Sequence, residues 1–267
     1  MKKLLNILIF FILPAQVFSQ STTLKGIEND LQRSYREISG HGYPSTNDSV
    51  EIYDSLFRIE IAYYISHFPK TLTYKFDSLT SKTDISIATS KDNLFRIYSW
   101  DRYDGGTMHN FDNLFQFQSG AKVYSKLSAD TGTDQNYDPG VYYTTIYTLR
   151  ITKNKTYYLA MGTGIYSTMA RGTRIKIFTV ENHLLNDNVK LIRTKKGKRV
   201  NSIDSYYNMG FNYPKDQLPN DVTYNSIKRT LYIPVVDRGT DSVTNHSDIY
   251  QFNGEYFKYT NTQNVSK

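Results

Sequence analysis

The densest group of chemically active side chains in this sequence lies between residues 100 and 109. The segment reads Trp-Asp-Arg-Tyr-Asp-Gly-Gly-Thr-Met-His and holds two carboxylates, an arginine and a histidine. Carboxylates and imidazoles exchange protons in acid and base catalysis, whereas arginine and aromatic rings bind ligands. The same composition is typical of a solvated turn whose aspartates bond to their own backbone. The candidates for catalysis are Asp101, Asp104 and His109, and the candidates for ligand binding are Trp100, Arg102 and Tyr103.

A second group is basic and lies between residues 190 and 199, where six lysines and arginines surround Gly197. Like charges at a hairpin tip are usually solvated and protect a sheet edge from aggregation. The alternative is a contact surface for an acidic polysaccharide or for the phosphates of an outer membrane leaflet. The ligand-binding candidates in this group are Lys195, Lys196, Lys198 and Arg199.

Several kinds of reaction centre find no support in the sequence. The chain has no cysteine, which excludes thiol catalysis and thiolate metal sites. Its histidines are far apart, and His246 with Asp248 supplies too few ligands for zinc. The chain has no Gly-x-Ser-x-Gly elbow, and the glycines at 162–172 lack the Lys-Ser/Thr pair of a phosphate loop, so we predict a turn there. We therefore predict neither a metal nor a cofactor.

Residues 1–19 have the pattern of a secretory signal peptide. Two lysines precede an apolar run from Leu4 to Leu13, and small residues occupy the positions before a cleavage point between Ser19 and Gln20. That point carries no cysteine for a lipid anchor. No later apolar stretch reaches the roughly 20 residues of a membrane helix. The sequence therefore predicts a soluble protein that is exported to the periplasm or secreted, without a lipid anchor.

The net charge and the tyrosine content of the chain limit the kinds of ligand that the sequence predicts. The formal net charge of +7 becomes +5 when Lys2 and Lys3 leave with the signal peptide, which is a mild basic excess. An exported protein rarely meets nucleic acid, so we do not predict nucleic-acid binding. The chain holds 24 tyrosines and one tryptophan. Tyrosine favours half-buried strands, because its ring packs while its hydroxyl stays in water, and an aromatic surface for sugars or proteins is the alternative.

The periodicity of apolar residues divides the chain after the signal peptide into two parts. Residues 20–70 predict a helical hairpin, with a first helix over 22–39 and a second from Asp48 to Pro69. Residues 71–267 predict an antiparallel β-rich domain, since the period changes to two near residue 74. The apolar stripe of the first helix consists of Leu24, Ile27, Leu31, Tyr35 and Ile38.

The β-rich part reads as a series of hairpins, and Asn253-Gly254 is the strongest turn signal. The predicted fold is α+β, a helical hairpin followed by a large antiparallel β-meander that forms an open curved sheet. A small irregular β-propeller is the alternative. The predicted strand pairs are 85–89 with 94–100, 111–118 with 121–126, 142–152 with 156–161, 173–180 with 189–193, and 248–252 with 255–259.

The segments Arg96–Asp101, Gly105–Met108 and Tyr250–Phe257 carry a resemblance. With these phrases the chain is similar to a group of uncharacterised exported bacterial proteins, and the similarity covers most of the chain after residue 19. The resemblance implies secretion and a β-rich fold. It implies no activity, so no catalytic residue is carried over from it.

The function predicted from these features is that of a non-catalytic binding protein with a protein or glycan ligand. A glycan-directed hydrolase that uses carboxylates of the 101–109 loop is the first alternative, and a structural component of the cell envelope is the second. The hydrolase requires a concave pocket with a second carboxylate within about 10 Å. Carboxylates pointing into solvent from a convex tip would oppose it.

Overall fold

A computed structural model of the chain describes residues 22–41, 48–128, 138–153, 155–208 and 222–264. The predicted signal peptide lies outside these residues. None of the helices in this part of the chain has the length and apolar character that a membrane span requires. The helical elements are α1 (Leu24–His41), α2 (Asp48–His67), a 3-10 turn (Pro69–Leu72) and α3 (Asp77–Lys82).

The first two helices confirm the helical hairpin. The stripe of α1 predicted from the sequence faces inwards, with Ile27, Leu31, Tyr35 and Ile38 all buried. These side chains pack against apolar residues of α2 and of the first strands. The short helix α3 is not predicted by the sequence, because its six residues are too few to display a helical period.

Fifteen strands follow within the described residues, and the predicted α+β class is confirmed. The strands are β1 (Ser86–Thr89), β2 (Phe95–Asp101), β3 (Phe111–Ser119), β4 (Lys122–Leu127), β5 (Tyr142–Thr152), β6 (Lys155–Ile165), β7 (Ala170–Glu181), β8 (Leu184–Asn186), β9 (Ile192–Arg193), β10 (Arg199–Val200), β11 (Ser202–Asn208), β12 (Thr223–Asn225), β13 (Thr230–Asp237), β14 (Ser242–Phe252) and β15 (Phe257–Asn264).

The described strands are divided among three sheets. The first has the order β1-β2-β3-β4, and the second has the order β11-β7-β6-β5 with β8 added to β7. The third has the order β10-β9-β15-β14-β13-β12. Neighbouring strands are antiparallel except β15 and β9, which pair in parallel with Phe257 opposite Ile192.

The prediction that residues 173–180 pair with 189–193 is wrong. β7 pairs instead with β6 on one side and with β11 on the other. A tight turn joins β6 to β7, and closing a short loop costs less entropy than closing a longer one. The remaining pairs were predicted correctly in partner and direction.

The core consists of apolar layers between the helices and the sheets. One layer joins the helices to the first sheet, a second joins the first sheet to the second, and a third joins the second sheet to the third. Strand β2 contributes to two of these layers, because Tyr98 and Trp100 pack towards the helices while Phe95 and Ile97 pack towards the second sheet. The connection that leaves β2 therefore begins at a strand that lies between two of these layers.

Candidate functional site

The cluster at residues 100–109 forms the connection between two paired strands. Asp101 ends β2 and lies opposite Phe111, which begins β3. The backbone N–H of Arg102 donates to the carbonyl of Asn110 at 2.9 Å and so extends the ladder. The backbone N–H of His109 donates to the carbonyl of Ile165 at 3.0 Å, which ties the connection to the second sheet. Both ends of the connection are thus held by backbone bonds.

A cavity of about 340 Å³, here named the Asp101 pocket, lies beside this connection. Four aromatic rings line it, those of Tyr103, His109, Phe111 and Tyr142. Three of the rings form a contiguous set, since the His109 ring is stacked 6.1 Å from that of Phe111, which lies 5.7 Å from that of Tyr142. Thus the pocket offers a largely aromatic wall to a ligand.

Two carboxylates complete the polar part of the Asp101 pocket. Asp84 lies just before β1 and is exposed, and Asp101 is buried with 6% exposure. The remaining wall residues, Thr163 and Ile165, come from the end of β6. The pocket therefore joins the loop between β2 and β3 to the start of the first sheet and to one end of the second.

Asp101 and His109 are in direct contact inside the pocket. The carboxylate of Asp101 bonds to Nδ1 of His109 and also accepts the backbone N–H of Tyr103 at 2.9 Å. Burial raises the pKa of Asp101, although the Tyr103 N–H and His109 oppose the shift. The side chain of His109 keeps 35% exposure. Since Nδ1 is engaged, Nε2 is the ring nitrogen of His109 that can meet a ligand or a proton.

Tyr103 is held in an unusual conformation at the edge of the pocket. Its φ is +57°, a left-handed value that is strained for a bulky residue. Its hydroxyl donates to Asp84 Oδ2 at 2.6 Å, and its ring centroid lies 6.3 Å from that of Tyr35. Burial, together with the nearby charge of Asp84, raises the pKa of the Tyr103 hydroxyl, so it remains a donor at neutral pH. Strained residues of this kind concentrate at ligand sites.

Trp100, predicted as a ligand-binding residue, is located in the core. It has 0% exposure, and its ring lies 5.3 Å from that of Phe57 in an edge-on arrangement. Its indole N–H donates to Asp54 Oδ1 at 3.1 Å. The residue is buried because β2 is covered on both faces, which leaves no ring surface for a ligand.

The other polar residues of the cluster face away from the Asp101 pocket. Arg102 forms ion pairs with Asp104 at 3.0 Å and with Asp54 at 3.4 Å, and Asn110 donates to Asp104 at 2.6 Å. Burial, aided by the charge of Asp112, raises the pKa of Asp54 to about 6. Arg102 lines a different, charged cavity of about 220 Å³. The structure therefore brings Asp101, Tyr103 and His109 together in the pocket wall, whereas Arg102 and Asp104 do not line this pocket.

The basic candidates lie at the turn between β9 and β10, outside the Asp101 pocket. Two of them are engaged by the third sheet. Lys195 pairs with Asp248 at 2.7 Å and lies 4.8 Å from the ring of Tyr259. Arg199 pairs with Glu255 at 2.7 Å and lies 4.2 Å from the ring of Tyr256. The remaining two, Lys196 and Lys198, are exposed, and their side chains form no ion pair with the described residues.

Several pocket residues have no signal in the sequence. Asp84, Tyr142 and Thr163 belong to three separate segments, and each has the composition of an ordinary strand end or turn. They meet because β1 and β5 lie side by side and because β6 pairs with β5. Phe111 and Ile165 join them as the first residue of β3 and the last of β6. Only the arrangement of the sheets identifies these residues.

No group of three or more His, Asp or Glu side chains that could hold a metal ion occurs in the described part of the chain. A scan against protein-family models found no family that matches the sequence, and a search of curated proteins found no matching relative.

Proposed function

We propose that this chain is an exported, non-catalytic binding protein whose ligand is a glycan unit held in the Asp101 pocket. The observation that carries the proposal is the presence of four aromatic rings and two carboxylates around one cavity. The C–H faces of a sugar pack on aromatic rings, and its hydroxyls donate to carboxylates. The cavity of about 340 Å³ also falls within the usual size of small-molecule sites, about 300–1,000 Å³.

Export is the second part of the proposal. It is supported by the pattern of residues 1–19 and by the resemblance to uncharacterised exported bacterial proteins. Expression of the full chain in a bacterial host with an envelope, followed by N-terminal sequencing of the protein in the periplasm and medium, tests it. A start at Gln20 in either fraction supports export, whereas an intact Met1 confined to the cytoplasm contradicts it.

The binding proposal predicts that pocket variants lose affinity for saccharides. A glycan array identifies the ligand, and titration calorimetry then compares the wild type with Asp84→Asn and Tyr103→Phe. Tyr103→Phe removes the hydroxyl that donates to Asp84, and Asp84→Asn replaces a charged acceptor with a weaker neutral one, so we expect at least about tenfold weaker binding, equivalent to roughly 1.4 kcal/mol. The matched control replaces the exposed Lys196 and Lys198 with serine and should bind as the wild type does.

Two outcomes would contradict the pocket as the binding site. One is the absence of any saccharide ligand on the array. The other is a ligand whose affinity falls in the control carrying serine at Lys196 and Lys198 but not in the pocket variants. That second result would place the glycan at the basic turn between β9 and β10. Thermal unfolding of each variant shows whether it is folded under the assay conditions.

A glycan-directed hydrolase is the second candidate, and the contact between Asp101 and His109 favours it. In this mechanism Nε2 of His109 accepts a proton from water, which attacks a glycan ester, and the imidazolium returns the proton to the departing alcohol. The carboxylate of Asp101 orients the imidazole and stabilises its charged form. Asp84 lines the same cavity, so a second carboxylate is also present there, as the cleavage of a glycosidic bond would require.

The hydrolase candidate predicts turnover that depends on the Asp101–His109 pair. Chromogenic glycosides and acetylated sugars are suitable substrates. Because general acid–base groups contribute about 10²–10⁴-fold, we expect His109→Ala and Asp101→Asn to lower kcat at least about 100-fold. Asp104→Asn, which alters a carboxylate directed at Arg102, is the matched control and should retain activity. Absence of turnover by the wild type contradicts the hydrolase and leaves the binding protein.

A further inference from the structure

The charge balance of the Asp101 pocket is opposite to that of the whole chain. The sequence has 32 lysines and arginines against 25 aspartates and glutamates. The described wall of the pocket nevertheless includes Asp84 and Asp101 and contains no lysine or arginine. Apart from His109, the titratable acids and bases of the wall other than its tyrosines are therefore both carboxylates, which favours a positively charged occupant.

The hydrogen bonds of Asp84 leave its negative charge available to a ligand. Within the described residues, Asp84 accepts a neutral phenol hydroxyl from Tyr103 and forms no ion pair. Asp101 contacts His109 and a backbone N–H, and it forms no ion pair with a lysine or an arginine. Asp84 is exposed where it lines the pocket, so a ligand can reach it from solvent.

The aromatic rings of the pocket also attract a positively charged ligand. The faces of Tyr103, Phe111 and Tyr142 carry the negative end of the ring quadrupole and attract an ammonium group within about 6 Å. Recognition of ammonium ligands by several aromatic rings near a carboxylate follows from this effect, and it strengthens when the site excludes water. Rings and carboxylates thus favour the same chemical class of ligand.

We infer that the Asp101 pocket selects a small organic cation, and that its glycan ligand is an amino sugar bound through its protonated amine. This inference rests on the proposed function, since it names the class of saccharide that the same pocket takes. The ammonium group is placed against Asp84 and the aromatic wall. The sugar hydroxyls are left to Asp101, His109 and Thr163.

The neighbouring cavity supplies a matched control. It has a volume of about 250 Å³, shares Asp84 with the Asp101 pocket, and is lined by the exposed cations Arg36 and Lys82. These cations oppose a positive ligand at Asp84, so removing one of them should not weaken cation binding. Lys82→Ser is therefore expected to bind an ammonium ligand as well as the wild type or more tightly.

The test is titration calorimetry at neutral pH and low salt with glucosamine, glucose and tetramethylammonium. We expect glucosamine to bind at least about tenfold more tightly than glucose, because its ammonium group gains both the charge of Asp84 and the faces of the aromatic rings. Tetramethylammonium should compete with glucosamine. Asp84→Asn should abolish the preference for glucosamine, whereas Lys82→Ser should keep it.

The outcomes separate this inference from the proposed function. Equal affinity for glucose and glucosamine overturns the cation inference but leaves the glycan-binding proposal. Binding of tetramethylammonium without any sugar supports the cation inference and overturns the glycan ligand. Failure of all three probes to bind overturns the inference, and a glycan array on the same sample then decides the proposed function on its own. A preference for glucosamine that persists in Asp84→Asn also overturns the inference.

Discussion

Replacing Trp100 with alanine is expected to lower the free energy of unfolding by about 3–5 kcal/mol. The side chain has 0% exposure and joins β2 to the helices through its edge-on contact with Phe57. Its removal leaves a large cavity and also deprives Asp54 of the indole N–H that it accepts at 3.1 Å. Both losses act on the same layer of the core, between the helical hairpin and the first sheet.

Urea unfolding followed by far-ultraviolet circular dichroism measures the effect, since the substitution removes the single tryptophan and its fluorescence. Trp100→Phe keeps an aromatic ring in the core and should lose less stability than the alanine variant. Ile227→Ala is the surface control, because Ile227 has 94% exposure, and should stay within about 0.5 kcal/mol of the wild type. If Trp100→Ala lowered the free energy of unfolding no more than Ile227→Ala does, the burial of Trp100 in the core would be contradicted.

Replacing Glu28 with glutamine is expected to cost about 1.5–3 kcal/mol at neutral pH. The buried carboxylate of Glu28 accepts the backbone N–H groups of Ser78 at 2.6 Å and Leu79 at 3.0 Å, in the first turn of α3. It also accepts Lys25 Nζ at 2.7 Å and the Tyr74 hydroxyl at 3.1 Å. A neutral amide oxygen accepts these bonds less strongly, and the NH₂ group of glutamine cannot accept any of them.

The loss of unfolding free energy in Glu28→Gln should depend on pH, because the pKa of Glu28 is shifted in the folded state. Burial opposes ionisation of Glu28, but the bonds from Lys25, Leu79, Tyr74 and Ser78 outweigh it and lower its pKa. A carboxylate with a lowered pKa in the folded state stabilises fully above its unfolded pKa of about 4.3, and the stabilisation disappears as the pH falls through the lower folded value. The difference between wild type and Glu28→Gln should therefore shrink in acid.

Urea unfolding of both proteins from neutral pH into acid measures this dependence. Glu181→Gln is a suitable control, because Glu181 is exposed at the end of β7 and should change stability by less than about 0.5 kcal/mol. A difference at Glu28 that is the same at every pH would show that the carboxylate is not held in its charged form.

Local features of the fold could be predicted from the sequence because short-range physics produces them. The stripe at spacings of three and four placed Leu31 and Tyr35 on the buried face of α1. The Asn253-Gly254 pair marked the turn between β14 and β15, where Gly254 adopts a φ of +102°. Such signals depend on a few neighbouring residues. They specify hairpins well and say little about how hairpins assemble into sheets.

The candidate site shows the limit of this reasoning. Asp101 and His109 were recognised because they are close in sequence, whereas Asp84, Tyr142 and Thr163 reach the pocket only through the packing of two sheets. The burial of Trp100 was not predicted, for a related reason. Strand β2 is buried along its whole length, so its sequence carries no alternation to show which side chains face a ligand.

The parallel pairing of β15 with β9 has a consequence for the order of events during synthesis. Strands β9 and β10 leave the ribosome long before β15. In the third sheet β9 pairs with β10 and β15, so the β9–β10 hairpin joins the other strands only through β15. Ile192 is therefore synthesised long before Phe257, the residue that lies opposite it in the folded third sheet. The third sheet can therefore close only after β15 has been synthesised, and its assembly requires a slow long-range encounter, whereas the hairpins of the first sheet can form as they emerge.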